Sequence, residues 1–141
     1  MFKDEAIENL SQRMARVADD LSIYAIEIIE LLERWHESNR EQLVEAGKRI
    51  EVLNIGNRAQ AIYKTLVLAI KENYKIDQKF EDDLLEIVLD CYIIIEDTLL
   101  VLDKEELEKE SPETLLVRMN NKKRLLERAR QELYSVADIF A

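Results

Sequence analysis

The sequence predicts an all-α protein, built as an up-down-up-down four-helix bundle of long amphipathic helices. The 141 residues include only 2 glycines and 1 proline, so few residues are suited to tight turns. Hydrophobic residues make up 48% of the chain. They recur at steps of three and four, which is the period of a helix with one buried face. A chain of this length is expected to form one domain, residues 1–141, with a full core.

The first two predicted helices cover about residues 4–38 and about residues 41–73. In the first, the apolar steps of three and four continue unbroken through these residues: Ile7, Leu10, Met14, Val17, Leu21, Tyr24, Ile28, Leu31 and Trp35. The polar stretch HESNREQ then ends the helix and supplies capping residues for the next one. The second helix contains both glycines. We expect Gly47 to mark a bend and Gly56 to let a neighbouring helix approach closely.

The third and fourth predicted helices cover about residues 80–102 and about residues 112–139. Ser111 is a good N-cap residue, and Pro112 follows it at the first helical position. The apolar face of the third helix is wider than one buried stripe needs. The residues off its stripe are Tyr92, Ile93, Leu99 and Val101. We expect them to be exposed and to join two copies of the chain as a homodimer.

The net charge of −10 is concentrated in one segment. Residues 76–110 hold 13 acidic and 3 basic side chains, whereas residues 118–130 hold six basic residues and one glutamate. An acidic chain of this kind is not expected to bind nucleic acid by neutralising phosphates. The most apolar run, residues 87–102, is short and contains three acidic residues, so no membrane insertion is expected.

The cysteine content and the first residues of the chain predict a cytoplasmic protein. Cys91 is the only cysteine, which excludes an intramolecular disulfide and fits a reducing compartment. The start of the sequence, MFKDEAIENLSQR, lacks the basic and apolar regions of a signal peptide.

Carboxylates at helical spacing on the third helix are the best candidate metal ligands. Asp83, Asp90 and Asp97 recur every seven residues, and Glu86 lies one turn before Asp90. Two carboxylates at i and i+4 can share a divalent or iron-type metal. The preferred alternative is that this acidic edge faces the basic fourth helix and pairs with its cations. The candidate counter-charges are Arg118, Lys122, Arg124, Arg128 and Arg130.

Two other acidic patterns lie on the first helix. Glu33 and His36 have the spacing of a helical metal pair, but we interpret the lone histidine as a solvated residue at a helix end. Glu27 and Glu30 extend an E-x-x-E pattern to Glu33, and this pattern resembles the magnesium motif of helical nucleotide pyrophosphohydrolases. Their E-x-x-D motif has no counterpart here. A metal-dependent nucleotide pyrophosphohydrolase or phosphoester hydrolase remains an alternative function, with these carboxylates: Glu30, Glu33, Glu86 and Asp90.

Residues 1 to about 105 resemble one repeat of the PhoU family of phosphate-uptake regulators. The similar segments are FKDEAIENLSQRMARVADDLSIYAIEIIELLE, LVEAGKRIEVLNIGNRAQAIYKTLVLAI and EDDLLEIVLDCYIIIEDTLLVL. The resemblance implies three-helix repeats and a non-enzymatic adaptor between a phosphate transporter and a sensor kinase. It also implies metal binding through E-x-x-x-D motifs. Here Glu96 matches the Glu of that motif, but Leu100 replaces its Asp. A plain oligomeric helical scaffold is a further alternative.

Overall fold

The computed structural model describes residues 2–141, and every regular element within them is helical. The predicted all-α class is therefore confirmed. The six α-helices in this part of the chain are α1 (Glu5–Glu33), α2 (Arg40–Val52), α3 (Ile55–Glu72), α4 (Gln78–Val101), α5 (Lys104–Lys109) and α6 (Pro112–Ile139). A single turn of 3₁₀ helix, Glu37–Asn39, lies between α1 and α2. Across residues 2–141, no helix has both the length and the apolar character that a membrane span requires.

The predicted second helix is two helices in the structure. The chain turns at Asn54, whose backbone adopts the left-handed conformation with φ 54°, so α2 ends at Val52 and α3 begins at Ile55. Asparagine adopts this conformation more readily than most residues with a Cβ atom. The break in the helix therefore lies at Asn54, and Gly47, where a bend was predicted, lies inside α2. The segment between the third and fourth predicted helices, residues 103–111, contains the short helix α5.

Short polar side chains cap the start of four helices. At α1, α4 and α5 the cap is an aspartate: Asp4 accepts from the backbone N–H of Ile7 at 3.1 Å, Asp77 from Phe80 at 2.9 Å, and Asp103 from Glu105 at 2.9 Å. At α6 the Ser111 hydroxyl accepts from the backbone N–H of Thr114 at 3.2 Å, which confirms the predicted N-cap. Each cap satisfies a backbone donor that has no partner within the helix.

The four long helices surround a single core. Helix α1 packs on α6 and α3, and α4 packs on the same two helices from the other side. At one end of the molecule, the ring of Phe2 lies 5.4 Å from Phe80 and 6.3 Å from Phe140. The backbone N–H of Asp4 also donates to the carbonyl of Phe140 at 3.0 Å. The starts of α1 and α4 and the end of α6 therefore meet at this end.

The short helices α2 and α5 pack together at the other end. A Cβ atom on Gly47 would lie 2.7 Å from Leu107 Cδ1 and 3.2 Å from the carbonyl oxygen of Leu102, so a side chain here would force Leu107 to shift and would crowd the backbone of Leu102. At Gly56 a Cβ atom would make an ordinary 3.5 Å contact with Leu99 Cδ1. The close approach predicted at Gly56 therefore occurs at Gly47 instead.

One arginine holds α5 against the start of α2. Arg40 Nη1 donates to the carbonyl oxygens of Leu107 and Glu110, each at 3.1 Å, and its guanidinium lies 4.9 Å from the ring centre of Trp35. These carbonyls lie at the C-terminal end of α5, where they accept no hydrogen bond from within the helix. Arg40 thus connects the end of α1, the start of α2 and the end of α5.

Candidate functional site

The outward surface of α4 carries large apolar side chains that the core does not cover. Leu89, Ile93 and Leu100 are 41%, 44% and 65% exposed. Their spacing of i, i+4 and i+11 places them on one side of the helix, opposite the buried residues of α4. We call these three residues the outer apolar stripe.

The predicted interface residues are mostly not exposed, so the expectation that all four lie on the surface is wrong. Val101 is 2% exposed and belongs to the core. Tyr92 is half-buried, with its ring stacked on Tyr63 at 4.4 Å, and the half-buried Leu99 faces Gly56 on α3. The physical reason is that α4 lies between α3 and α6, which cover both flanks of the helix. Of the predicted set, only Ile93 lies on the outer apolar stripe.

The sequence analysis missed Leu89 and Leu100. Leu89 lies four residues before Ile93, and Leu100 lies seven after it, so the same helical spacing could have identified both. Neither residue was assigned to the buried stripe or to the predicted interface.

The outer apolar stripe is surrounded by unpaired carboxylates. Helix α4 holds seven acidic side chains and one lysine, and among residues 2–141 none of the seven forms an ion pair. The predicted pairing with the basic helix is not formed there. Instead Arg118 pairs with Glu106 of α5, Arg130 with Asp19 of α1, and Arg128 with Glu132 of its own helix.

A cleft of about 680 Å³ lies between α4 and α6. It contains three of the four predicted metal ligands, Asp83, Glu86 and Asp90, and α6 adds Arg128 and Glu132. Asp97 does not line the cleft. In residues 2–141 no three Asp, Glu, His or Cys side chains converge closely enough to hold a metal ion. The structure therefore brings Asp83, Glu86 and Asp90 to one cleft without assembling a coordination sphere, and metal binding there remains a prediction.

The thiol of Cys91 lies behind this cleft, on the buried side of α4. Its Sγ lies 3.6 Å from the carbonyl oxygen of Ala129 and 3.7 Å from Glu132 Oε2. Burial, and then the charge of Glu132, raise the pKa of Cys91 to about 12. Because the thiolate is the form that attacks electrophiles and binds metals, Cys91 is chemically inert near neutral pH. It is a core residue, 0% exposed.

The carboxylates of the alternative hydrolase site lie at two places. Glu30 and Glu33 are in the last turn of α1, whereas Glu86 is in the first half of α4 and Asp90 is at its middle. Since α1 and α4 both begin at the Phe2–Phe80 end, the pair at the end of α1 and the pair near the middle of α4 lie at different levels along the molecule. The exposed His36 follows the end of α1, where the sequence predicted a solvated histidine.

Comparison of the chain with family models, curated proteins and solved structures finds no significant match. The resemblance to the PhoU family therefore rests on the order and length of the segments quoted above.

Proposed function

We propose that this protein is a non-enzymatic adaptor that acts by binding other proteins through the outer surface of α4. The observation that carries the proposal is the outer apolar stripe, Leu89, Ile93 and Leu100, set among carboxylates that have no ion-pair partner in residues 2–141. An apolar centre with a polar rim is the usual composition of a protein interface. The carboxylates are solvated in the isolated chain and remain available to cationic side chains of a partner.

The resemblance to PhoU regulators supplies the proposed setting. It implies an adaptor in phosphate-uptake signalling whose partner is a transporter or a sensor kinase. A cytoplasmic location accords with this role, and the free, buried thiol of Cys91 supports it because such a cysteine suits a reducing compartment.

The proposed topology of the four long helices is an up-down-up-down bundle. Contacts between neighbours support it. The start of α1 meets the end of α3, where Asn73 Nδ2 donates to Asp4 Oδ2 at 3.0 Å. Gly56, at the start of α3, approaches Leu99, near the end of α4. In such a bundle the stripe on α4 is a straight, rigid surface suited to a partner helix.

We further propose that a second copy of the chain occupies this surface, as a homodimer. Sedimentation equilibrium of the wild type and of Ile93→Glu tests this, because a buried carboxylate at the centre of an apolar contact strongly opposes association. The matched control is Val117→Glu, which adds the same charge at a 71% exposed position on α6. The expected result is a dimer for the wild type and the control, and a monomer for Ile93→Glu. A monomeric wild type at tens of micromolar contradicts the dimer.

The adaptor role is tested by site-specific photo-crosslinking in cells. A photo-reactive amino acid replaces Ile93 in one variant and Val117 in the other, since both side chains are exposed. The proposal expects two products from position 93, one with a second copy of the chain and one with a second, different protein that takes the place of that copy, and neither product from position 117. Products with only further copies of the chain would favour the alternative of an oligomeric scaffold.

The alternative of a metal-dependent hydrolase has a weaker basis. Only the α4 half of its carboxylate set, Glu86 and Asp90, lines a cleft. Elemental analysis of protein purified without chelator, followed by an assay of magnesium-dependent phosphate release from nucleotides, tests it. Bound metal that is lost in Glu86→Gln, together with phosphate release, would replace the adaptor proposal.

A further inference from the structure

A groove between α1 and α3 collects three arginines. It has a volume of about 450 Å³, and the charged residues along it are Arg13, Arg16 and Asp20 of α1 and Arg58 of α3. Three cations against one carboxylate leave an excess of two positive charges. In a chain with a net charge of −10, this is a local reversal of sign.

The arginines of this groove are only partly neutralised by the protein. Arg58 lies 3.9 Å from Asp20, which is the outer limit of an ion pair. Arg13 and Arg16 are exposed, and neither makes an ion pair or a side-chain hydrogen bond to any of residues 2–141. Their guanidinium donors are therefore free for a ligand, unlike those of Arg40, Arg49 and Arg130.

The α3 side of the groove is built from small side chains. Ala61 and Thr65 face α1 one turn apart, and the Thr65 hydroxyl donates to the carbonyl oxygen of Ala61 at 2.9 Å. The apolar residues of the lining are Leu10, Val17 and Ile62. Because the side chains of Ala61 and Thr65 are small, they leave the groove open beside the long arginine side chains. The guanidinium groups can therefore converge on a ligand without movement of the backbone.

We propose that this groove binds a small anion that carries two or more phosphoryl groups. Guanidinium groups bind phosphate oxygens through paired hydrogen bonds, and arginine is the residue best suited to this. Arg13 and Arg16 are one turn apart, and Asp20, which holds Arg58, lies one turn further along α1. The cations thus span about 10 Å of helix, at about 1.5 Å per residue. A single phosphate is too short to contact all three, whereas a diphosphate or triphosphate is long enough.

The ligand is a free anion rather than the headgroup of a membrane lipid. The positive charge is confined to one groove, and the chain as a whole has a net charge of −10, so an anionic bilayer repels most of its surface. The inference is independent of the adaptor proposal, because the groove lies on α1 and α3 and the outer apolar stripe on α4.

Isothermal titration of the full chain with sodium tripolyphosphate, pyrophosphate and orthophosphate tests the proposal. The expected order of affinity is tripolyphosphate, then pyrophosphate, then orthophosphate, with binding weakened by added salt because exposed charges are screened. The double variant Arg13→Gln, Arg16→Gln should lose at least about tenfold in affinity for tripolyphosphate, since each removes a charge-assisted contact. Asp20→Asn should bind more tightly, because it removes the competing carboxylate.

The matched control is the double variant Arg34→Gln, Arg124→Gln, which removes the same charge from two exposed arginines outside the groove. It should bind tripolyphosphate as the wild type does. An equal loss in this control would show unspecific attraction and overturn the proposal. The absence of binding by the wild type at low salt would also overturn it, as would binding to phosphatidic acid vesicles without binding to tripolyphosphate.

Discussion

Helices α1 and α4 both carry seven acidic side chains, but within residues 2–141 only those of α1 pair with cations. In α1, Asp19 pairs with Arg130 of α6, Asp20 lies within ion-pair distance of Arg58 of α3, and Glu27 pairs with Arg49 of α2. In α4, no carboxylate pairs with any cation of residues 2–141.

The difference follows from where each helix lies. Helix α1 contacts α6 and α3 along most of its length, so its flanking carboxylates meet arginines on three other helices. Helix α4 contacts α3 through the stacked rings of Tyr92 and Tyr63, and α6 through the Cys91 thiol against the carbonyl of Ala129. Three of its carboxylates, Asp83, Glu86 and Asp90, line the open cleft beside α6 but form no ion pair there. The same amphipathic pattern therefore serves internal cohesion in α1 and leaves α4 free for contacts outside the chain.

The largest expected contrast is between the same substitution on the two helices. Ile28→Ala removes a fully buried side chain of α1 and should lower the free energy of unfolding by about 2–5 kcal/mol. Ile93→Ala removes a half-exposed side chain of α4 and should change it by less than about 0.5 kcal/mol. Urea unfolding at low protein concentration measures both. A similar loss for the two variants would mean that Ile93 belongs to the core.

The glycines that face the end of α4 should respond in opposite directions to alanine. In Gly47→Ala the new methyl group meets Leu107 and the carbonyl of Leu102, so stability should fall by about 1–3 kcal/mol. In Gly56→Ala the methyl group has room, and the helix gains about 0.5–1 kcal/mol because the unfolded chain loses freedom. Thermal melting of both variants measures the difference. A stabilising Gly47→Ala would show that α5 does not rest on α2 in solution.

The buried thiol of Cys91 on α4 should lower the free energy of unfolding at alkaline pH. The pKa of Cys91 is raised from 9.0 to about 12, so the folded chain binds the thiol proton more tightly than the unfolded chain does. Its contribution is complete below pH 9.0 and is lost as the pH rises toward 12. By about pH 10 the loss is roughly 1 kcal/mol. Urea unfolding between about pH 8 and about pH 11 should therefore show a flatter pH dependence for Cys91→Ala than for the wild type.

The alkaline effect has a second contributor on the same helix. Burial, followed by the neighbouring Glu96 carboxylate, raises the pKa of Tyr92 to about 12. Tyr92→Phe retains the stacked ring and removes this titration, so it separates the two groups. If Cys91→Ala retains the full alkaline slope, the thiol is not responsible for it.

The smallest effects concern surface charge. Asp19→Asn removes the 2.7 Å ion pair with Arg130, and since both groups are partly exposed it should cost about 0.2–1 kcal/mol. Asp97→Asn removes an unpaired negative charge near the C-terminal end of the acidic α4, where the helix dipole disfavours it. The free energy of unfolding should therefore rise by about 0.3 kcal/mol. Both changes should shrink in high salt. An Asp97→Asn variant that is less stable than the wild type would indicate a partner for that carboxylate.

The sequence alone determined the helical class and most helix positions. Periodicity is a local property, and the steps of three and four from Ile7 to Leu31 describe a helix whatever it packs against. The pattern continues to Trp35, but α1 ends at Glu33, five residues before the predicted end at about residue 38. Capping is local as well, so Ser111 and Pro112 identified the start of α6. The helix break that the sequence did not predict also arises from a local feature. The turn at Asn54 depends on one left-handed residue inside a helical pattern, and such a residue has no periodic signature.

Only the tertiary structure decided which side chains remain exposed. The sequence placed Tyr92, Ile93, Leu99 and Val101 together outside the buried stripe. The packing of α4 between α3 and α6 left Ile93 exposed and buried Val101. The same holds for charge. Arg13 and Arg58 are distant in sequence, and only the packing of α1 against α3 brings them to one groove. Burial and proximity between helices depend on contacts across the whole chain, and a helical period specifies only the face on which each residue lies.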